Sequence, residues 1–148
     1  MAELKVYFAS RFRRRFELQE YARQLGFLGI GVTSHWLYED EADKEVAAAL
    51  ADLSNAEPFA RRDLEDIRNA HAVVCFSKPT NTMHDNNGGY HVEFGYALAL
   101  GLVPVVVGPL ENLFHSLKGV TRFDEWSDDV MAFLHELEVN KKYGKTYQ

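Results

Sequence analysis

The chain has 148 residues, 47% of them hydrophobic and 26% charged, a globular balance with enough apolar surface for one core without metal or disulfide support. Its net charge of -6 argues against general nucleic-acid-polymer binding, which needs a basic surface to neutralise phosphates, and its single cysteine excludes a disulfide framework. No apolar run approaches the roughly 20 residues of a membrane span, and Met1-Ala2-Glu3-Leu4-Lys5 lacks signal-peptide character, so a soluble, cytoplasmic protein with no membrane partner is expected.

Leu4 to Ala9 is a short apolar run that predicts a buried strand, with Ser10 placed to cap a following helix that runs to about Leu25. Phe12, Phe16, Ala22 and Leu25 mark one side of that helix, and Gly26 and Gly29 end it. Gly31 to Trp36 is β-branched and aromatic and predicts a second strand. An acidic stretch from Glu39 to Glu45 leads into an alanine-rich helical segment around Val46 to Leu53, then a helix from about Pro58 to Ala70 with Leu64 and Ile67 on its buried side. Ala72 to Phe76 predicts a strand that buries Cys75, and Lys78 to Asn87 a polar loop. A helix from Gly89 follows, then a buried strand from Val103 to Gly108, a short helix over Glu111 to Leu117, a strand over Val120 to Phe123 and an amphipathic helix over Asp128 to Glu138. Non-alternating apolar strands separated by helices predict a parallel sheet covered on both faces. Residues 1–148 therefore read as one doubly wound, flavodoxin-like α/β domain of roughly five strands. Ligands of such sheets bind beyond the carboxyl ends of the strands, here the loops after Phe8, Phe76 and Val107.

Glu93 stands out. It lies in Gly88-Gly89-Tyr90-His91-Val92-Glu93-Phe94-Gly95-Tyr96-Ala97, and on a helix it shares a face with Gly89, Tyr96, Ala97 and Leu100. An unpartnered carboxylate on such a stripe costs several kcal/mol to desolvate, so Glu93 is either paired in the core or lines a pocket that uses its reactivity. Tyr7, on the first strand, is a candidate partner. Gly88 and Gly89 allow close backbone approach and present N–H groups at a helix start, or simply make a tight turn. Arg11, Arg13, Arg14 and Arg15 form a basic cluster at the ligand edge of an acidic chain, a pattern suited to phosphate. Asp63, by contrast, sits in a charge-rich helix whose charges ordinarily face solvent. The six histidines, His91 and His115 among them, lack zinc-site spacing. Neither a metal nor a cofactor is expected, and no GxGxxG or P-loop pattern is present.

Taken together, these segments resemble the nucleoside 2-deoxyribosyltransferase family, which includes the related 2'-deoxynucleoside 5'-monophosphate N-hydrolases. Val6-Tyr7-Phe8 resembles the family's first strand, Asp63-Leu64 with Ile67 its D-L-x-x-I helix, and Gly89 to Ala97 its G-x-E-x-G-x-A helix. Glu111-Asn112-Leu113-Phe114 resembles a segment that reaches into a neighbouring subunit's site. The resemblance spans Leu4 to about Trp126. It implies that Glu93 is a nucleophile that attacks C1' of a deoxyribosyl group, that Tyr7 orients it, and that Asp63 helps protonate the departing base. It further implies substrate contacts from Ser10, Arg11, Arg14, Asn87, Gly88, Gly89 and Asn112, and a homodimer or larger homo-oligomer.

Two departures divide the family reading. Family transferases often carry an acidic residue where this chain has Asn87, and the arginine-rich loop is closer to the monophosphate N-hydrolases, whose sites in turn favour serine at the positions of Asn87 and Asn112. The expectation is N-glycosidic cleavage of a small nucleoside with sugar transfer to another base. The alternatives are hydrolysis of nucleoside 5'-monophosphates and a non-catalytic nucleotide-binding domain. A redox flavodoxin-like module would need a Ser- and Thr-rich phosphate loop that Ser10-Arg11-Phe12-Arg13-Arg14 does not supply.

Overall fold

The computed structural model describes residues 3–39, 53–78 and 88–143. The alanine-rich segment up to residue 52, most of the acidic stretch and the loop 79–87 with Asn87 lie outside the described residues. The apolar runs form the strands: β1 (Lys5–Ala9), β2 (Gly31–Val32), β3 (Ala72–Phe76), β4 (Val103–Val107) and β5 (Thr121–Phe123). They form one sheet in the order β2-β1-β3-β4-β5, with every pairing parallel. This is the flavodoxin-like order, with its switch point between β1 and β3. The helices are α1 (Arg15–Gly26), α2 (Glu57–Arg68), α3 (Gly89–Ala99) and α4 (Asp128–Asn140).

Burial follows from this layering. All five residues of β3 are buried, because helices cover both faces of the central strands. Alternation along β1 sends Phe8 toward Phe76 and Trp126, at ring separations of 5.0 and 5.9 Å, and Tyr7 to the opposite face, toward α2 and α3. Among the described residues no helix is long and apolar enough to cross a membrane.

The start of α1 differs from the sequence expectation. Ser10 caps nothing; the chain first makes a 3-10 turn over Phe12–Arg14 and enters α1 at Arg15, with no side-chain cap at Arg11 or Arg14. The reason is the use made of the arginines. Arg15 is buried with its guanidinium 4.2 Å from the Phe12 ring centroid and 4.6 Å from that of Phe16. Phe16 therefore covers a cation and stays 60% exposed instead of joining the core.

The second strand is also shorter than expected. After Val32 the chain leaves the sheet, and a 3-10 turn spans His35–Tyr38. Side chains replace the ladder there: Phe8 N–H donates to Ser34 Oγ at 2.7 Å, and Trp36 Nε1 donates to the Phe8 carbonyl at 3.0 Å. The backbone of β1 is satisfied without a longer neighbour. The short helix expected over Glu111 to Leu117 is a 3-10 turn at Leu113–Ser116.

Candidate active site

The polypeptide turns into α3 at Gly88, whose φ of 64° is left-handed and costs glycine little. A Cβ at Gly89 would meet no atom within 4 Å, so space remains beside the helix start. Glu93 follows one turn later. It comes together with Tyr7 from the central strand β1 and Asp63 from α2, and each of these two acts on the ionisation of Glu93. Three elements distant in sequence thus converge on one cluster at the side of the sheet covered by α2 and α3.

The orientation of α2 corrects the sequence reading. Leu64 is 37% exposed, whereas Asp66 and Ile67 are buried. The helix turns its Asp63–Asp66 edge inward because Asp66 finds full partners there: its Oδ2 accepts from the His35 backbone N–H at 2.9 Å, and its Oδ1 lies 2.7 Å from His35 Nδ1. Asp63, one turn earlier on the same edge, is carried toward Glu93.

The cluster is acidic, and this governs its protonation. Burial pushes the Glu93 carboxyl well above the usual carboxylate range; the charge of Asp63 adds to this, and the Tyr7 hydroxyl opposes it. Asp63 is pushed up to about 6, chiefly by burial, with the charge of Asp66 adding and Glu93, Arg62 and His35 opposing. Glu93 and Asp63 therefore titrate together, the charge of Asp63 raising the proton affinity of Glu93. Burial, then the charges of Glu93 and Asp63, holds the Tyr7 hydroxyl protonated far above its ordinary range. Its Oη has no well-aligned hydrogen-bond partner among the described residues, yet it favours the ionised form of Glu93. The nearby Ser10 Oγ at the end of β1 is likewise buried without a partner among the described residues. Among the described residues no group of three or more His, Cys, Asp and Glu side chains is arranged to hold a metal ion.

A second carboxylate, Glu111, binds the strand-end loops together. Tyr90 Oη donates to Oε1 and Oε2 at 2.9 and 2.7 Å, the Lys78 backbone N–H donates at 3.2 Å, and His91 Nε2 lies 3.2 Å from Oε2. Asn112 Nδ2 lies 3.2 Å from His91 Nδ1, while its Oδ1 accepts from Phe114 N–H and caps the following turn. His91 and His115 belong to this network: the Glu111 backbone N–H donates to His115 Nδ1 at 3.1 Å. Here the donors outweigh burial and hold the Glu111 carboxyl below its usual range.

The remaining predicted contacts line the edge. Arg11 and Arg14 face a cleft of about 490 Å³ beyond β3 and β4, together with Lys78, Tyr21 and Trp126. Tyr21 and Trp126 stack at 4.7 Å, on the face opposite Tyr7. Arg14 is committed to protein partners: it donates to Glu17 at 3.0 and 2.8 Å and to the Ser77 carbonyl at 3.2 Å. The cleft lining includes none of Glu93, Asp63 or Tyr7. Sequence reading missed Asp66, His35 and Tyr90. A signal for Asp66 existed in its three-residue spacing from Asp63, but helix spacing alone does not separate a buried acid from a solvated one.

No known family's sequence profile matches the chain. No curated protein matches its sequence. Among solved structures, the chain is similar to a Clostridium botulinum CMP N-glycosidase, BcmB, with a TM-score of 0.47 and 17% identity, over 91% of this chain and 98% of that one.

Proposed function

We propose that the protein cleaves the N-glycosidic bond of a deoxynucleoside through a covalent glycosyl–Glu93 intermediate and transfers the sugar to another base. The observation that carries this reading is the convergence of the Glu93 and Asp63 carboxyls with the Tyr7 hydroxyl, from three separate elements, in one buried cluster. The reaction uses the form of the pair in which Asp63 carries a proton and Glu93 is ionised, so that Glu93 is the nucleophile and Asp63 the acid. Glu93 attacks C1' as the C1'–N bond breaks, and Asp63 gives its proton to the departing base. An incoming base then attacks C1', the ester to Glu93 breaks, and Asp63 recovers a proton from the acceptor nitrogen. Tyr7 steadies the carboxylate in both half-reactions.

Arg11 and Lys78 at the strand ends favour a second reading, in which the substrate is a nucleoside 5'-monophosphate and water resolves the intermediate. Deoxynucleosides and their 5'-monophosphates, each incubated with and without a free acceptor base, separate the two. The primary reading expects a new nucleoside only when the acceptor is present. Base release from monophosphates alone, indifferent to the acceptor, replaces it with the second reading. Binding without base release in any arm rejects both and leaves a binding domain.

The site is further proposed to be completed by a second copy of the chain. Leu113 and Phe114, which follow Asn112, are 82% and 59% exposed, a cost in water that an interface removes. Full activity in a protein that sediments as a monomer overturns this.

A further inference from the structure

We propose that His35 and Asp66 form a positioning dyad for the Asp63–Glu93 pair, with Asp66 supplying a fixed buried charge and His35 governing how strongly that charge is felt. The inference rests on the proposed reaction and deepens it.

The geometry is that of an anchored carboxylate with one adjustable partner. Asp66 is 3% exposed and lies one helical turn from Asp63 on the same edge of α2. Its two oxygens are taken by one residue, through the His35 backbone N–H at 2.9 Å and the imidazole Nδ1 at 2.7 Å. A carboxylate has no proton to give, so His35 Nδ1 carries the hydrogen and the tautomer is fixed. Thr33 Oγ1 donates to the Asp66 carbonyl at 2.9 Å and ties the end of β2 to the same turn. The imidazole leans outward, with its side chain 69% exposed. One partner of a buried charge is therefore in contact with solvent protons.

The dyad lies within electrostatic reach of every group in the cluster. Asp66 acts on Asp63 from within α2, on Glu93 across the α2–α3 contact and on Tyr7 of β1, in each case raising proton affinity. His35 acts on Asp63 in the opposite sense, as does Arg62, which is itself paired with Glu39. The charge of His35 offsets that of Asp66 and lowers the proton affinity of Asp63. The dyad touches no reacting atom and works through Asp63.

The test is the pH–rate profile of base release in Asp66→Asn and His35→Gln. Asp66→Asn removes the charge and should move both limbs of the profile to lower pH, by about one unit. His35→Gln keeps a donor but loses the charge that lowers Asp63, and should move the limbs upward by a smaller amount. Opposite displacements support the dyad. A uniform loss of rate at all pH values, with limbs in place, means a structural role only and overturns it. The same variants are read without activity by carbon-13 titration of the Asp and Glu carboxyls. If wild-type protein releases no base, the proposed function fails, and the carboxyl titrations still decide the dyad: unchanged titration of Asp63 and Glu93 in both variants rejects it. His35→Gln alters an exposed side chain, so a folded variant is retained even if Asp66→Asn unfolds.

Discussion

Glu93 and Glu111 are two glutamates near the same end of the sheet, placed in opposite surroundings. Glu111 gathers a tyrosine hydroxyl, a backbone N–H and an imidazole, and its proton affinity falls. Glu93 sits among acids with one phenol, and its proton affinity rises. A carboxylate surrounded by donors is a structural tie whose charge is already used. One crowded by other carboxyls is costly to fold around and is chemically available. On the proposed reading, the contrast gives reactivity to Glu93 and architecture to Glu111.

The sharpest way to break the comparison is to remove each charge with minimal change of shape. Glu93→Gln should abolish base release, by a factor on the order of a thousand or more, since it removes the carboxylate proposed to attack C1'. Its thermal midpoint should hold or rise, because an unfavourable buried charge is lost. Glu111→Gln should behave in the reverse manner. It leaves the donors from Tyr90, Lys78 and His91 with a weaker acceptor and costs about 1–3 kcal/mol in stability, measured by chemical denaturation. Its rate loss should be smaller than that of Glu93→Gln and should follow the loosened start of α3.

The pH dependence of stability gives a smaller effect. The folded-state affinity of Asp63 is raised from 3.8 to about 6, so the folded state binds more protons than the unfolded chain between these values. Its contribution is favourable in acid and is lost as pH rises through about 6. Glu111, shifted downward, contributes stability above its ordinary range that is lost as pH falls. Asp63→Asn should therefore flatten the decline in stability between pH 4 and 6, and Glu111→Gln should flatten the decline further into acid. Denaturation midpoints across that range check both, and an unchanged slope in Asp63→Asn contradicts the assigned proton.

Much of this was legible in the sequence, for identifiable reasons. Continuous apolar runs such as Ala72 to Phe76 fix buried strands, and their alternation with helices fixes a parallel sheet. Glu93 was legible because a charge among small and apolar residues breaks its own pattern. Asp66 was not, because its helix is dense with charges and its burial depends on His35, a contact across 31 residues. The short β2 was hidden in the same way: Ser34 and Trp36 look like strand residues, and only their bonds to Phe8 reveal that side chains replace the ladder. Arg15 reads as one of a basic cluster suited to phosphate until Phe12 and Phe16 are seen to enclose it. Local patterns encode the elements; contacts between distant side chains set the protonation of the site.

The most direct test of the central claim is acid quenching of the protein during incubation with a deoxynucleoside, followed by mass analysis of its peptides. A sugar-sized increment on the peptide that contains Glu93, absent from Glu93→Gln, is the predicted result. Base release at the wild-type rate by Glu93→Gln, with no increment on that peptide in either protein, contradicts the assignment of Glu93 as nucleophile.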